Sequence, residues 1–138
     1  MSQGQEAVAP AEFVLRRVHK SQCSAALLRR VFRGGFCPNT ADMTGISVYR
    51  ERDTSVAAVL AAARKADECY VVRVPVQALT DLGFTLVPDD EPGGAPGHYV
   101  IPELRFSEYE SKKDALKGKQ DELARIASNH IVHSPPGC

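Results

Sequence analysis

Seven polar side chains fall on or beside the stretches of this chain that read as β-strands: Arg17, His19, Ser47, Tyr49, Arg73, His98 and Glu103. A polar group kept at a sheet position has to find a partner, water or a ligand, because an unsatisfied buried group costs a few kcal/mol. Two explanations fit the set. One sheet face is wet, or the residues gather in a cleft. Arginine and histidine close together suit an anion, and the first quarter of the chain is basic, with Arg16, Arg17, Lys20, Arg29, Arg30 and Arg33. An anion or nucleotide site in the N-terminal half is therefore one reading, and a solvated charged face is the other.

The most suggestive stretch is Gly34 to Glu51, GGFCPNTADMTGISVYRE. Pro38 and Gly45 restrict or free the backbone, and Asp42 can cap the loop between them. The loop leads into GISVYR, whose alternation puts Ile46, Val48 and Arg50 on one face and Ser47, Tyr49 and Glu51 on the other. Arg17, His19, Ser47 and Asp42 are the candidate ligand-binding residues. Two further constellations are thinner. His130 and His133 with Cys138 lack the partner pair of a zinc site, so no metal is expected. Cys37 with His98 could form a thiol and imidazole pair, without a visible orienting residue.

The elements that must carry these side chains follow from periodicity. FVLRRVH, Phe13 to His19, reads as a strand with Phe13, Leu15, Arg17 and His19 on one face and Val14, Arg16 and Val18 on the other. Apolar residues on both faces predict a strand covered on both sides. Ser21 is placed to cap a helix running to Phe32, with Leu27, Leu28 and Val31 at helical spacing and Gly34 and Gly35 as its stop. A second helix is expected from Thr54 or Ser55 to about Ala66, a strand over Tyr70 to Val76, a helical turn from Gln77 to Leu82, and a brief strand from Phe84 to Val87. PDDEPGGAPG reads as a turn-rich loop, and HYVIPEL as a strand whose Pro102 suggests an edge or a bulge. Ser107 and Glu110 form a capping box for a last helix through about Ser128.

Short strands and helices interleaved irregularly predict a single small α+β domain. Its sheet should be mixed but mostly antiparallel, of about five short strands, with three helices. Residues 1–11 read as a flexible tail, 12–133 as the domain and 134–138 as a second tail. The chain has 138 residues, enough for one ordinary core. Seventeen basic and seventeen acidic residues cancel, so no sequence-specific nucleic-acid binding is expected. The N-terminus lacks the basic and apolar regions of a secretory signal, four cysteines occur without a C-x-x-C pair, and no apolar run approaches a membrane span. A cytoplasmic protein without membrane association is the expectation.

From Phe13 to about Tyr109 the order of elements resembles the ADP-ribosyltransferase-like superfamily, whose members include NAD-cleaving toxins. The likeness rests on a first strand bearing Arg17 or His19, the GISVY strand with Ser47 or Tyr49, the YVVRVPV strand, and HYVIPEL with Glu103. It implies NAD as cofactor or substrate. Glu103 would then stabilise positive charge building on the ribose, Arg17 or His19 would hold the diphosphate, Ser47 would orient the ligand, and Tyr49 would stack on the nicotinamide ring. Glu103 and Tyr49 would be the catalytic pair. RVH, F-x-P and G-x-SV are also similar to segments of small bacterial proteins, a likeness that carries no activity. Balanced charge and the absence of a strong catalytic motif leave a non-catalytic module that binds a protein partner as the alternative.

Overall fold

The computed structural model describes residues 7–24, 30–89 and 94–136. Six strands form one antiparallel sheet: β1 (Phe13–His19), β4 (Ile46–Arg50), β5 (Cys69–Pro75), β6 (Val87–Pro88), β7 (His98–Ile101) and β8 (Ile131–His133), in the order β6-β7-β4-β1-β5-β8. A separate two-stranded ladder joins β2 (Cys23–Ser24) to β3 (Arg30–Val31). Three α-helices occur among the described residues: α1 (Val56–Ala61), α2 (Val76–Asp81) and α3 (Phe106–Ser128). The chain is a single small α+β domain, and no helix among its described residues is long and apolar enough to cross a membrane.

β1 is central because both of its faces are apolar. Val14 and Val18 bury into the larger core with Ile46, Val48, Val72, Leu104 and Leu123 of α3. Leu15 on the other face meets Tyr49, Val71, Ala95 and Val59 of α1. The two-sided alternation read from FVLRRVH is thus met by helices on both sides of the sheet. Buried valines and leucines each contribute about 1.5 to 3 kcal/mol.

Several elements differ from expectation. Over Ser21 to Phe32 there is no continuous helix: Lys20–Gln22 is a tight 3-10 turn, and Cys23 pairs with Val31 in a hairpin ladder extended by Phe32 N donating to Gln22 O. Residues 25–29, including Leu27, Leu28 and Arg29, lie outside the described residues. The reason is tertiary: Cys23 and Val31 both bury in the core, and Ser128 Oγ of α3 accepts a bond from Val31 N, so pairing overrides helical spacing. Gly34 and Gly35 are part of a second 3-10 turn, Arg33–Phe36, rather than a helix stop.

α1 begins where expected, with Ser55 Oγ accepting from Ala58 N, but ends at Ala61. Beyond Leu60 only alanines follow before Arg64 and Lys65; Ala61 and Ala62 are exposed, as are Arg64 and Lys65, so no large apolar side chain holds a further turn on the sheet. HYVIPEL stops as a strand at Ile101, because Pro102 opens a 3-10 turn through Leu104, and β7 lies inside the sheet between β6 and β4 instead of at its edge. The brief strand expected over Phe84 to Val87 reduces to Val87–Pro88, and Phe84 is core. α3 has no side-chain cap at Ser107; its N-cap is Arg105. Ile131–His133 adds an edge strand on β5. At the other end, Gln77 N donates to Pro10 O and Val8 packs against the core.

Candidate functional site

The ladders on either side of β1 have unequal lengths, and the site grows from that difference. β1 pairs with β5 along its whole length, from Phe13↔Pro75 to His19↔Cys69. β4 pairs with β7 from Ile46↔Ile101 to Tyr49↔His98. Between β1 and β4 the register covers only Val14↔Arg50 and Leu15↔Tyr49. Past Leu15 the two strands part, and the sheet opens like a fork.

Arg16 sits in the opening. Its Nε donates to Gly35 O at 2.7 Å and its NH1 to Ser47 O at 2.8 Å, so the guanidinium serves a carbonyl that the parted β1 backbone no longer reaches. It also lies over the Phe36 ring, 5.7 Å from the centroid. Burial pushes this guanidinium down to about 10, with Asp42 pulling the other way, so it stays charged at neutral pH. Arg17 points to the opposite face, where NH1 donates to Val59 O at 2.8 Å, capping the short helix α1, and its charge lies 5.3 Å from the Tyr49 ring centroid. Neither arginine forms an ion pair with a carboxylate of the described residues.

A cleft of about 550 Å³ occupies the fork, lined among others by Arg16, Arg17, His19, Asn39, Ser47 and Cys69. Its back wall is the Arg33–Phe36 turn, which α3 holds: Gln120 is fully buried, donates from Nε2 to Phe36 O at 2.8 Å and accepts from Tyr109 OH at 3.0 Å. Its rim is the loop from Cys37 to Gly45. There Asn39 N donates to Asp42 Oδ2 and Ala41 N to Asn39 Oδ1, both at 2.8 Å, while Phe106 N donates to Asp42 O. Gly45 has φ +138°, and a Cβ there would stand 2.3 Å from Ile101 O, so only glycine lets β4 approach β7 this closely.

Arg17, His19, Asp42, Ser47 and Tyr49 all line this one cleft. Their states differ. His19 is exposed, with Nε2 on Glu68 Oε1 and Nδ1 on Ser21, both at 2.9 Å; that imidazole holds the Glu68 carboxyl below its usual range. Asp42 is spent largely on closing its loop. Tyr49 is 2% exposed, with the Arg17 guanidinium and the His98 ring both close to its ring, the latter 5.2 Å away, so burial leaves it no open face for a stacked ligand.

Glu103 is not part of the cleft lining. It follows β7, where Oε1 accepts from Thr85 N at 2.9 Å and Oε2 from Thr85 Oγ1 at 2.7 Å. Arg73 is likewise taken, by a two-pronged pair with Glu51 and by the Phe13 ring beneath it. Of the basic quarter, Arg30 and Arg33 line a different groove with Asp121 and Glu122. Cys37 Sγ faces Tyr109 OH at 3.3 Å, while His98 is engaged with Ser47, so the thiol and imidazole pairing does not form.

Two features escaped the sequence. Arg16 was legible as one of the basic residues of the first quarter, on the strand face opposite Arg17, but its bridging role depends on where the ladder ends. His98 is buried beside Ser47, with Nε2 2.8 Å from Ser47 Oγ and Nδ1 on Asp89 O. Nothing in the spacing of positions 47 and 98 announces that contact, which comes from the β4 and β7 register. No family model, curated protein or solved structure matches this chain.

Proposed function

We propose that the forked cleft binds a small anionic molecule of the nucleotide class, through its phosphate groups. The observation that carries this reading is the pair Arg16 and Arg17, adjacent, both lining an open cleft of about 550 Å³ and neither in an ion pair with a carboxylate of the described residues, Asp42 acting on Arg16 only at longer range. A guanidinium held by backbone carbonyls keeps its full charge and its remaining N–H donors for an incoming oxyanion. Asn39, whose side-chain amide lines the same cleft, adds an uncharged donor.

Cleavage of NAD through Glu103 and Tyr49 receives less support from the geometry. The Glu103 carboxylate is occupied by Thr85, and the Tyr49 ring is buried. NAD therefore enters as one diphosphate ligand among others. Calorimetric titration with inorganic pyrophosphate, ATP and NAD tests the reading: binding should weaken as salt is raised, and Arg17→Gln should lower affinity about 10- to 100-fold, the worth of a charged hydrogen bond. Absence of heat and of chemical-shift change at millimolar pyrophosphate would remove it.

A further inference from the structure

We propose that Ser47 and His98 form a nucleophilic dyad opening into the forked cleft, suited to hydrolysing carboxylic esters that carry an anionic group. Choice of the anionic substrate rests on the reading of the cleft given above; the dyad itself does not.

The proton positions follow from the acceptors. His98 Nδ1 faces the backbone carbonyl of Asp89, which can only accept, so Nδ1 carries the hydrogen. In the neutral ring Nε2 is then a bare lone pair, and at 2.8 Å from it the Ser47 hydroxyl must be the donor. This is the tautomer a general base needs, with a third group orienting the ring, here a main-chain oxygen. That oxygen is fixed in place because Asp89 N donates back to His98 O at 3.0 Å, continuing the β6 and β7 ladder. The base is buried at 4% exposure while Ser47 is half-buried and lines the cleft, so the hydroxyl is the member of the pair a substrate can reach. Both arginines line the same cleft and supply positive charge for a developing oxyanion.

As Ser47 Oγ bonds to the acyl carbon, its proton passes to His98 Nε2 and the carbonyl π pair moves to oxygen. Collapse breaks the carbon–oxygen bond to the leaving alkoxide, which takes the proton from Nε2 and departs as an alcohol. Water then attacks the acyl-serine, gives a proton to Nε2, and collapse returns that proton to Ser47 Oγ. One ester and one water become one alcohol and one acid, with no change of oxidation state.

The test is labelling of the full chain with a neutral alkyl fluorophosphonate, read by intact mass and peptide mapping. A single adduct on Ser47, absent in Ser47→Ala and slowed at least about 100-fold in a His98→Asn variant of unchanged circular dichroism, is the expected result. Mono(4-nitrophenyl) succinate should be hydrolysed faster than uncharged 4-nitrophenyl acetate. No adduct, or an adduct that maps elsewhere in the wild-type chain, overturns the dyad whether or not the His98 variant folds. Pyrophosphate binding without labelling would leave the anion cleft standing and sink the dyad, and labelling of Ser47 without pyrophosphate binding would do the reverse.

Discussion

Replacing Arg16 by methionine separates the parted strands from the charge that spans them. The thioether side chain keeps an apolar stem against Phe36 but loses the bonds to Gly35 O and Ser47 O. A carbonyl left without a donor costs about 1 to 3 kcal/mol where water cannot reach it. Gly35 is buried and should lie near the upper end, whereas Ser47 is half-buried and should lie near the lower end. The sum is about 4 kcal/mol, or a fall in melting temperature of about 12 to 16 °C for a domain of this size. Lysine in place of arginine can serve one of the two carbonyls and should recover about half of the loss. Urea unfolding followed by far-UV circular dichroism gives the free energy, and pyrophosphate titration of the folded variant should show affinity reduced at least about 10-fold. A methionine variant as stable as the parent would refute the bridging role, since the carbonyls would then have found other donors at no cost.

Three further outcomes follow. Arg50 grips Glu12 with two bonds, at 2.7 and 2.8 Å, and this grip lowers the Glu12 carboxyl from 4.5 to about 2. The resulting stability is present above pH 4.5 and is lost as pH falls towards 2; an acid titration of urea midpoints should show about 1 to 3 kcal/mol vanish in that window, and Glu12→Gln should abolish the step. Gly45→Ala brings a Cβ within 2.3 Å of Ile101 O at φ +138°, so unfolding free energy should drop by about 3 kcal/mol or more, with an unchanged midpoint arguing against the close approach of β4 to β7. Glu103→Gln should leave pyrophosphate affinity unaltered and cost less than about 1 kcal/mol in chemical denaturation; lost affinity would return Glu103 to the site.

What the sequence made legible was local. The alternation of FVLRRVH fixes which of its residues share a face, and the structure keeps both faces as read, with Val14 and Val18 under α3 and Leu15 under α1. YVVRVPV is legible from its β-branched content, as a strand buried on both faces, and the final helix from a stripe that includes Leu116, Leu123 and Ala127 at the helical period. The 21–32 segment was not, because Leu27, Leu28 and Val31 satisfy a helical period while the Cys23↔Val31 pairing depends on Ser128, far along the chain. Within the site, Arg17, His19, Asp42, Ser47 and Tyr49 could be picked out as polar groups at strand or loop positions. Glu103 was chosen by the same rule, yet Thr85 lay ready to take its carboxylate, and no rule of spacing reveals a partner on a neighbouring turn.

The fork itself is a non-local property, and its cause lies in two competing attachments. Gly45 lets the start of β4 press against Ile101, committing that strand to β7, while the end of β1 is committed to β5 through His19↔Cys69. Each strand keeps one full ladder, and the shared ladder between them is given up after Leu15↔Tyr49. A broken ladder leaves main-chain groups to be satisfied, and a side chain with several fixed donors does this at lower cost than ordered water in a half-open space. Arginine answers that need, and having spent two donors on Gly35 O and Ser47 O it still presents charge and further N–H groups to the gap. Opening the sheet and making the opening attractive to an anion are therefore tasks of the same residue. The consequence is that substitutions at Arg16 should move stability and anion affinity together, whereas those at Arg17 should move affinity with a smaller change in stability, because Arg17 serves one carbonyl at the end of a short helix and lies over the Tyr49 ring, where Arg16 serves two carbonyls across the opened ladder.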